Sequence, residues 1–382
     1  MYRKPGVNVK KEHRIQTETA LRVLQASRDR GVEWICSRIG IDGRPAGSDR
    51  LNSYYRIPWS LALAGKRDSA SAVLGWIVRH ALDEQGDLRA GAAREPFLSA
   101  MASYPLSQIA IGAWHLEQYD VAKKVMGFVR ANLVDHKTGG AFSERPELRR
   151  TGRTDLLSTA QLGIAALTIG DEALADACYR WLAELYRSQP DLAQRLFPCR
   201  VGTALLTLPD AAHKEWDVVT DFHRPFQQFY NPGIAAAFLG RYGASKNDAD
   251  ALALARSYLD LTVCGAALQF DYKVNSQACK FGWGAAVLLD VDASDAYAQH
   301  ALRMATWFVD SQYEDGHWAP SGFLVPNPDD ADNLPKTAEH VLHVVTLTAA
   351  LSKYAALCTS AANAARAAGP PPGEMPSNVN RV

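Results

Sequence analysis

The densest group of side chains that could do chemistry lies in the segment 218–233, VVTDFHRPFQQFYNPG. One imidazole, one guanidinium and several aromatic rings in a short loop are typical of an apolar pocket with a few oriented polar groups. We predict His223 and Tyr230 as catalytic, since either can donate a hydrogen bond to a developing oxyanion. The predicted substrate contacts are Arg224, Phe226, Phe229 and Asn231. The alternative is that the aromatics belong to the core and that His223 caps a helix.

The segment 268–284, LQFDYKVNSQACKFGWG, precedes and opens a second apolar helix. A carboxylate held near Lys273 would stay ionised and could act as a base or a counter-charge. We therefore predict Asp271 as catalytic. The predicted substrate contacts here are Tyr272, Lys273, Gln277, Lys280 and Trp283. The alternative is a solvated loop with an ordinary salt bridge.

Three titratable residues fall within one helical turn of the string TAEHVLHVV, and Glu339 and His343 are spaced i, i+4. We predict His340 as catalytic and the other two as substrate contacts. Such a pair can fix a histidine tautomer or bind a metal. With two candidate ligands and no matching cluster elsewhere, we expect no metal and interpret the group as charge at a cavity mouth.

Further candidate substrate contacts come just before other apolar helices. Arg56 could bind a carboxylate with two parallel hydrogen bonds, and Pro58 suits a first helical turn. The alternative is a stabilising aromatic cluster. The predicted contacts are Tyr54, Tyr55, Arg56, Tyr104, Gln108, Arg153 and Asp155.

Several classes of function lack their sequence signature. No Gly-rich phosphate loop, GxSxG elbow, HExxH or dinucleotide fingerprint is present. We therefore expect chemistry without a cofactor, or binding alone. The 41 basic and 41 acidic residues balance, so the sequence has no electrostatic footprint for nucleic acid or an anionic membrane. No run of about eighteen apolar residues is present, so we expect no membrane insertion.

A repeat of roughly 45–75 residues organises the chain. Each unit has a first helical pattern with a charged face, which ends in an aromatic–aliphatic pair and a turn containing Gly or Pro. A second pattern, apolar nearly all round, follows and must be buried. The pairs are Trp34-Ile35, Trp76-Ile77, Phe128-Val129, Trp181-Leu182, Tyr258-Leu259 and Trp307-Phe308. Six outer and six inner helices in alternation predict an all-α (α/α)6 toroid, with an open helical solenoid as the alternative.

One repeat, RMATWFVDSQYEDGHW at 303–318, resembles the QW repeat of squalene and oxidosqualene cyclases. It has the base, the aromatic pair, Gln312 and the Gly316-x-Trp318 ending, although Met304 replaces a small residue. The strings around Cys279 and His343 also look like the inner helices of protein prenyltransferase β-subunits. That family binds zinc through Asp-x-Cys and a later His. Gln277 stands at the aspartate position here, so zinc binding is not carried over. Sugar 2-epimerases and unsaturated-uronyl hydrolases share the α/α barrel and stay in view.

We predict one domain over 1–360 and an Ala- and Pro-rich tail, 361–382, that is disordered. The six scattered cysteines and the polar N-terminus predict a reduced, cytoplasmic protein.

The leading functional hypothesis is a cofactor-independent cyclase or isomerase, such as a pericyclase of natural-product biosynthesis, that acts on a hydrophobic small molecule in an apolar central cavity. The alternatives are a carbohydrate-active enzyme and a non-catalytic binding toroid. Facing carboxylates and tryptophan platforms would favour sugar chemistry. The sequence leaves the oligomeric state open.

Overall fold

The computed structural model describes residues 5–49, 53–91, 101–149, 151–209, 215–263, 265, 267–271 and 276–367. Its main helices alternate between an outer and an inner position. The outer helices are α1 (Pro5–Cys36), α3 (Arg67–Trp76, continued by a π-turn Ile77–Ala81), α5 (Tyr119–Asn132), α7 (Glu172–Arg187), α9 (Ala249–Val263) and α11 (Asp295–Asp310). The inner helices are α2 (Ile57–Leu63), α4 (Ser103–His115), α6 (Leu156–Ile169), α8 (Tyr230–Lys246), α10 (Cys279–Asp292) and α12 (Asp330–Ala367).

The inner and outer helices differ in burial, as their sequences predict. On α6 every residue from Leu156 to Ala166 is buried, as expected for a helix that is apolar on all faces. On α7 the buried residues recur at helical spacing and leave a charged outer face; they are Leu174, Ala175, Cys178, Trp181, Leu182 and Leu185.

The inner helices form a closed ring. Each even-numbered helix packs against the next one, and α12 packs against α2. The outer helices surround this ring, with α1 in contact with both α11 and α12. The predicted (α/α)6 toroid is therefore confirmed, and the open solenoid is wrong.

Glycines in the turns after the outer helices let neighbouring units pack closely. Gly43, Gly86, Gly139 and Gly316 all have positive φ. At each of them an added Cβ would meet the backbone of the next outer helix. For Gly316 that helix is α1, where the backbone oxygen of Arg30 would lie 2.6 Å away. The last unit therefore packs on the first through the same contact that joins earlier units.

The glutamine of the QW-like repeat strengthens this closure. Gln312 Nε2 donates to the backbone oxygens of Ser27 (2.9 Å) and Gly316 (2.8 Å). In return Ser27 Oγ donates to Gln312 Oε1 at 2.8 Å. The side chain thus ties α1 to the turn that follows α11.

Short strands lie between α5 and α8. β1 (Arg153–Asp155) pairs antiparallel with β3 (Cys199–Val201), which pairs with β4 (Ala204–Leu205). β2 (Arg195–Leu196) pairs with β5 (Thr220–Asp221). These small sheets fix the backbone before α6 and α8.

Helix α12 extends to Ala367, beyond the predicted domain limit at 360, and residues 368–382 of the predicted tail lie outside the described residues. By length and composition alone, 330–360 could cross a membrane. Because this helix packs against α1, α2, α10 and α11, we interpret it as a core helix, which passes the same test.

Candidate functional site

The inner helices begin at one common end of the ring, and side chains from α2, α10 and α12 meet near it. Arg56 is the residue before α2, Lys280 is the second residue of α10, and Lys336 and Glu339 lie on α12. We call these four residues the ring-mouth cluster. The structure thus brings residues from three inner helices together at this cluster.

Glu339 is at the centre of the cluster and is 3% exposed. Lys336 Nζ lies 2.7 Å from Glu339 Oε2, and Arg56 Nη2 lies 3.5 Å from Oε1. Lys280 Nζ also donates to Oε1. Both carboxylate oxygens are therefore held by cations.

The charges of the cluster do not balance. Burial by itself would raise the pKa of Glu339, but Arg56, Lys280 and Lys336 hold it well below its usual range. Burial by itself would lower the pKa of Lys280, and Glu339 raises it. One carboxylate thus faces three cations, and a buried excess of positive charge is costly unless an anion compensates it.

Aromatic rings from neighbouring helices border the cations. Arg56 Cζ lies 4.6 Å from the centre of the Tyr55 ring, and Arg56 Nη2 donates to Tyr104 Oη at 3.2 Å. Lys280 Nζ lies 5.5 Å from the centre of the Tyr230 ring. Cations at this range are attracted by the ring faces, so a substrate would meet both charge and aromatic surface here.

Tyr230 also lines a cavity of about 20 Å³ with Arg153, Asp155 and Asn231. That volume holds about one water molecule. Asp155 caps α6, accepting from Ser158 N at 2.7 Å and from Ser143 Oγ at 2.8 Å. Burial raises the pKa of Tyr230 well above its usual value, so its phenol stays a hydrogen-bond donor.

The inner helices carry buried polar atoms that have no hydrogen-bond partner among the described residues. Gln108 Nε2 donates to Gln161 Oε1 at 3.4 Å, whereas other atoms on these helices have none. Among them are Trp59 Nε1, Ser103 Oγ, Ser107 Oγ, Ser158 Oγ, Gln161 Nε2 and Trp283 Nε1. Since buried polar groups nearly always have partners, water or a polar ligand is expected beside them.

The histidines of α12 are buried among aromatic rings. His343 lies parallel to Trp283, with ring centres 5.2 Å apart, and Trp283 in turn meets Trp59 at 5.9 Å. Burial lowers the pKa of His343 to about 3 and that of His340 well below its usual value. Both imidazoles are therefore neutral near neutral pH.

The structure does not bring all predicted site residues to this end of the ring. His223 and Arg224 are exposed, and Arg224 pairs with Glu215 at 2.6 Å. Phe226 is exposed and packs on Phe323. Strand β5 and the turn after it hold these side chains outward, so they do not join the cluster around Glu339. Asp271 is half-buried.

Other predicted contacts have structural partners or lie outside the described residues. Tyr54 and Phe229 are fully buried in the core. Gln277 donates to Ser321 Oγ at 3.0 Å. Tyr272 and Lys273 lie outside the described residues.

Three potential metal ligands come close together, although we expected the protein to bind no metal. Ligand atoms of Cys279, Glu339 and His340 lie within 4.8 Å of one another. Both oxygens of Glu339 already bind cations, and burial raises the pKa of Cys279, which disfavours the thiolate that a metal needs. The donor set therefore fits zinc poorly, and the absence of bound zinc stays a prediction.

Two residues in or near the site were not predicted, namely Lys336 of the ring-mouth cluster and Ser321. Lys336 stands three residues before Glu339 and therefore on the same helix face, which is a signal that could have found it. Ser321 bonds to Ser276 and Gln277 from a loop after α11. No local pattern marks Ser321.

No family model matches the chain, and no curated protein matches it significantly. Solved structures do match in fold. D-mannose isomerase has a TM-score of 0.58 at 10% identity, over 85% of this chain and 97% of its own. The GH76 α-mannanase BT2949 of Bacteroides thetaiotaomicron has a TM-score of 0.56 at 13% identity, over 86% and 96%.

A third match is the type II terpene cyclase MstE from Scytonema. A variant of it, in complex with merosterolic acid A, has a TM-score of 0.52 at 11% identity, over 87% of this chain and 99% of its own. At such identities the likeness establishes the fold and no more. The chain thus shares the α/α-toroid fold of these proteins.

Proposed function

We propose that the chain is an enzyme that isomerises or cyclises a small molecule with an anionic group, and that the ring-mouth cluster binds that group. The observation that carries this proposal is the excess of buried and half-buried cations around Glu339. A carboxylate or phosphate of the substrate would supply the missing negative charge. The hydrophobic part of a natural-product intermediate would lie against Tyr55, Tyr104 and Tyr230.

The same side chains suit chemistry in which negative charge develops on oxygen. Lys280 and Arg56 are fixed in place by Glu339, so they can stabilise an oxyanion without reorganising. Tyr230 can donate a hydrogen bond to the same oxygen. Glu339 itself stays ionised and cannot act as a general acid, so we assign it the positioning of the cations.

Sugar chemistry is the second candidate, because the unpartnered polar atoms of the inner helices would suit a ligand with many hydroxyls. Hydrolysis of a glycoside, however, needs one carboxyl group with a raised pKa. The pKa of Glu339 is lowered, and both oxygens of Asp155 accept hydrogen bonds from the protein. Neither of these two carboxyl groups suits the role of general acid, which supports the proposal of an isomerase over that of a hydrolase.

Ligand pairs that differ only in charge test the proposal. Calorimetry would compare geranylgeranyl dihydroxybenzoate, the substrate bound in one MstE structure, with its methyl ester, and geranyl phosphate with its dimethyl ester, since both esters are uncharged. We expect the anion of at least one pair to bind about tenfold more tightly than its ester, as one lost charge-assisted hydrogen bond predicts.

Lys280→Met should abolish that preference. Lys353→Met is the matched control, since Lys353 is exposed and pairs with Asp290. Equal binding of anion and ester in every pair would contradict an anion site. Saturable binding of D-mannose, unaffected by Lys280→Met, would favour the sugar alternative.

A further inference from the structure

A second cavity lies beside α12, between the end of α11 and the loop that follows it. It has a volume of about 120 Å³. Its walls include Trp307, Trp318 and Tyr313, together with Pro320, Pro326 and Pro328. None of the ring-mouth cluster lines it, so its ligand would differ in kind from the anion proposed above.

His340 is the polar side chain of interest in this wall. It is 1% exposed, and neither Nδ1 nor Nε2 has a hydrogen-bond partner among the described residues. Its ring meets Trp307, Phe308 and Trp318 edge-on, with centres 5.6, 5.3 and 5.6 Å away. A buried imidazole without partners is costly, and the cavity borders this ring.

The volume suits a ligand portion of about one ring. An apolar protein cavity of about 150 Å³ holds benzene, so about 120 Å³ suits a ring of five or six atoms. Among the described residues the lining offers serine and tyrosine hydroxyls beside the indole and proline walls but no counter-charge, which disfavours an ionised group. The lowered pKa of His340 keeps one nitrogen as a donor and the other as an acceptor.

We propose that this cavity is a separate ligand site for an uncharged molecule of about one ring, with a hydroxyl or carbonyl group that hydrogen bonds to His340. The ring stacks against Trp307 and Trp318, and the polar group reaches the imidazole. The site does not depend on the proposed function, because it shares no residue with the ring-mouth cluster.

Phenol and benzene are the probes, and their binding would be measured by saturation-transfer NMR and calorimetry. We expect one phenol per chain, bound about five- to tenfold more tightly than benzene, which is the usual worth of one hydrogen bond. His340→Phe keeps the aromatic surroundings and removes both nitrogens. This variant should lose the preference for phenol.

Ala319→Leu places a larger side chain in the cavity wall and should weaken phenol binding at least tenfold. Ala253→Leu, at an exposed position of α9, controls for the added leucine and should leave binding unchanged. The melting temperatures of all variants would show that they are folded.

Four results would overturn the proposal. One is phenol binding of equal strength in wild type and Ala319→Leu. The second is a phenol preference that survives in His340→Phe, and the third is a preference that is lost in Lys280→Met. The fourth is phenol binding that changes when zinc is removed by a chelator, since His340 would then serve a metal.

Discussion

The two buried histidines of α12 should make the protein lose stability as the pH falls. The charged groups that face them are Lys336, Lys280, Glu339 and Arg56. In the unfolded chain a histidine titrates near its ordinary pKa of about 6.5. In the folded chain His340 and His343 stay neutral to much lower pH. Below about pH 6.5 the unfolded state therefore binds more protons than the folded state, and the free energy of unfolding decreases as the pH falls.

The size of the effect follows from linkage. Between about pH 7 and about pH 5.5, a histidine that protonates only when unfolded lowers the free energy of unfolding by about 1.3 kcal/mol. His340 and His343 together contribute about 2.5 kcal/mol. His115 and His300, whose pKa values burial also lowers, add a smaller loss that is common to all variants compared.

Urea denaturation at the two pH values measures this directly. The wild type should lose about 2.5 kcal/mol more than the double variant His340→Phe, His343→Gln. His136→Gln, at an exposed position, should behave like the wild type. Equal losses in the wild type and the double variant would refute the reasoning, because the buried imidazoles would then accept protons as freely as exposed ones.

Three further changes test the fold and the site. Gly316→Ala should cost about 2–4 kcal/mol, because it adds a backbone clash with Arg30 to an unfavourable φ. Gly170→Ala, with positive φ but open space, should cost only about 1 kcal/mol by thermal unfolding. Trp307→Ala should cost about 3–5 kcal/mol, as expected for a buried aromatic; a variant with an unchanged melting temperature would show that the ring is not needed for packing. Metal analysis of protein purified without chelator should find no stoichiometric zinc, and zinc that disappears in Cys279→Ala would contradict this.

The fold could be predicted because each unit repeats the same physical pattern. The aromatic–aliphatic pairs end outer helices and are almost all buried, as with Trp181 and Leu182. The apolar segments between them have no charged face and can only be inner helices. Trp307 shows the limit of this reasoning, because it belongs to an outer helix and still lines a cavity with His340.

The candidate site could be predicted where it follows from helix starts or from spacing along one helix. Arg56 and Lys280 were found because inner helices in a ring begin at one end, and Glu339 was found from its i, i+4 spacing to His343. His223 was a poor guide, since the density of aromatics around it does not reveal that a short strand turns it outward. Which way a loop side chain points depends on pairing between distant segments, such as Arg195 with Asp221, and no local pattern encodes that pairing.

The polarity of the ring itself explains why its mouth should attract anions. Contacts of Arg56 with Tyr104, and of Lys280 with Tyr230, show that α2, α4, α8 and α10 all begin at this end. Each helix start carries a partial positive charge of about half a unit. These add to the three cations, so Glu339 neutralises only a fraction of the total. We therefore attribute the single carboxylate to positioning, and expect the remaining charge to be met by the substrate.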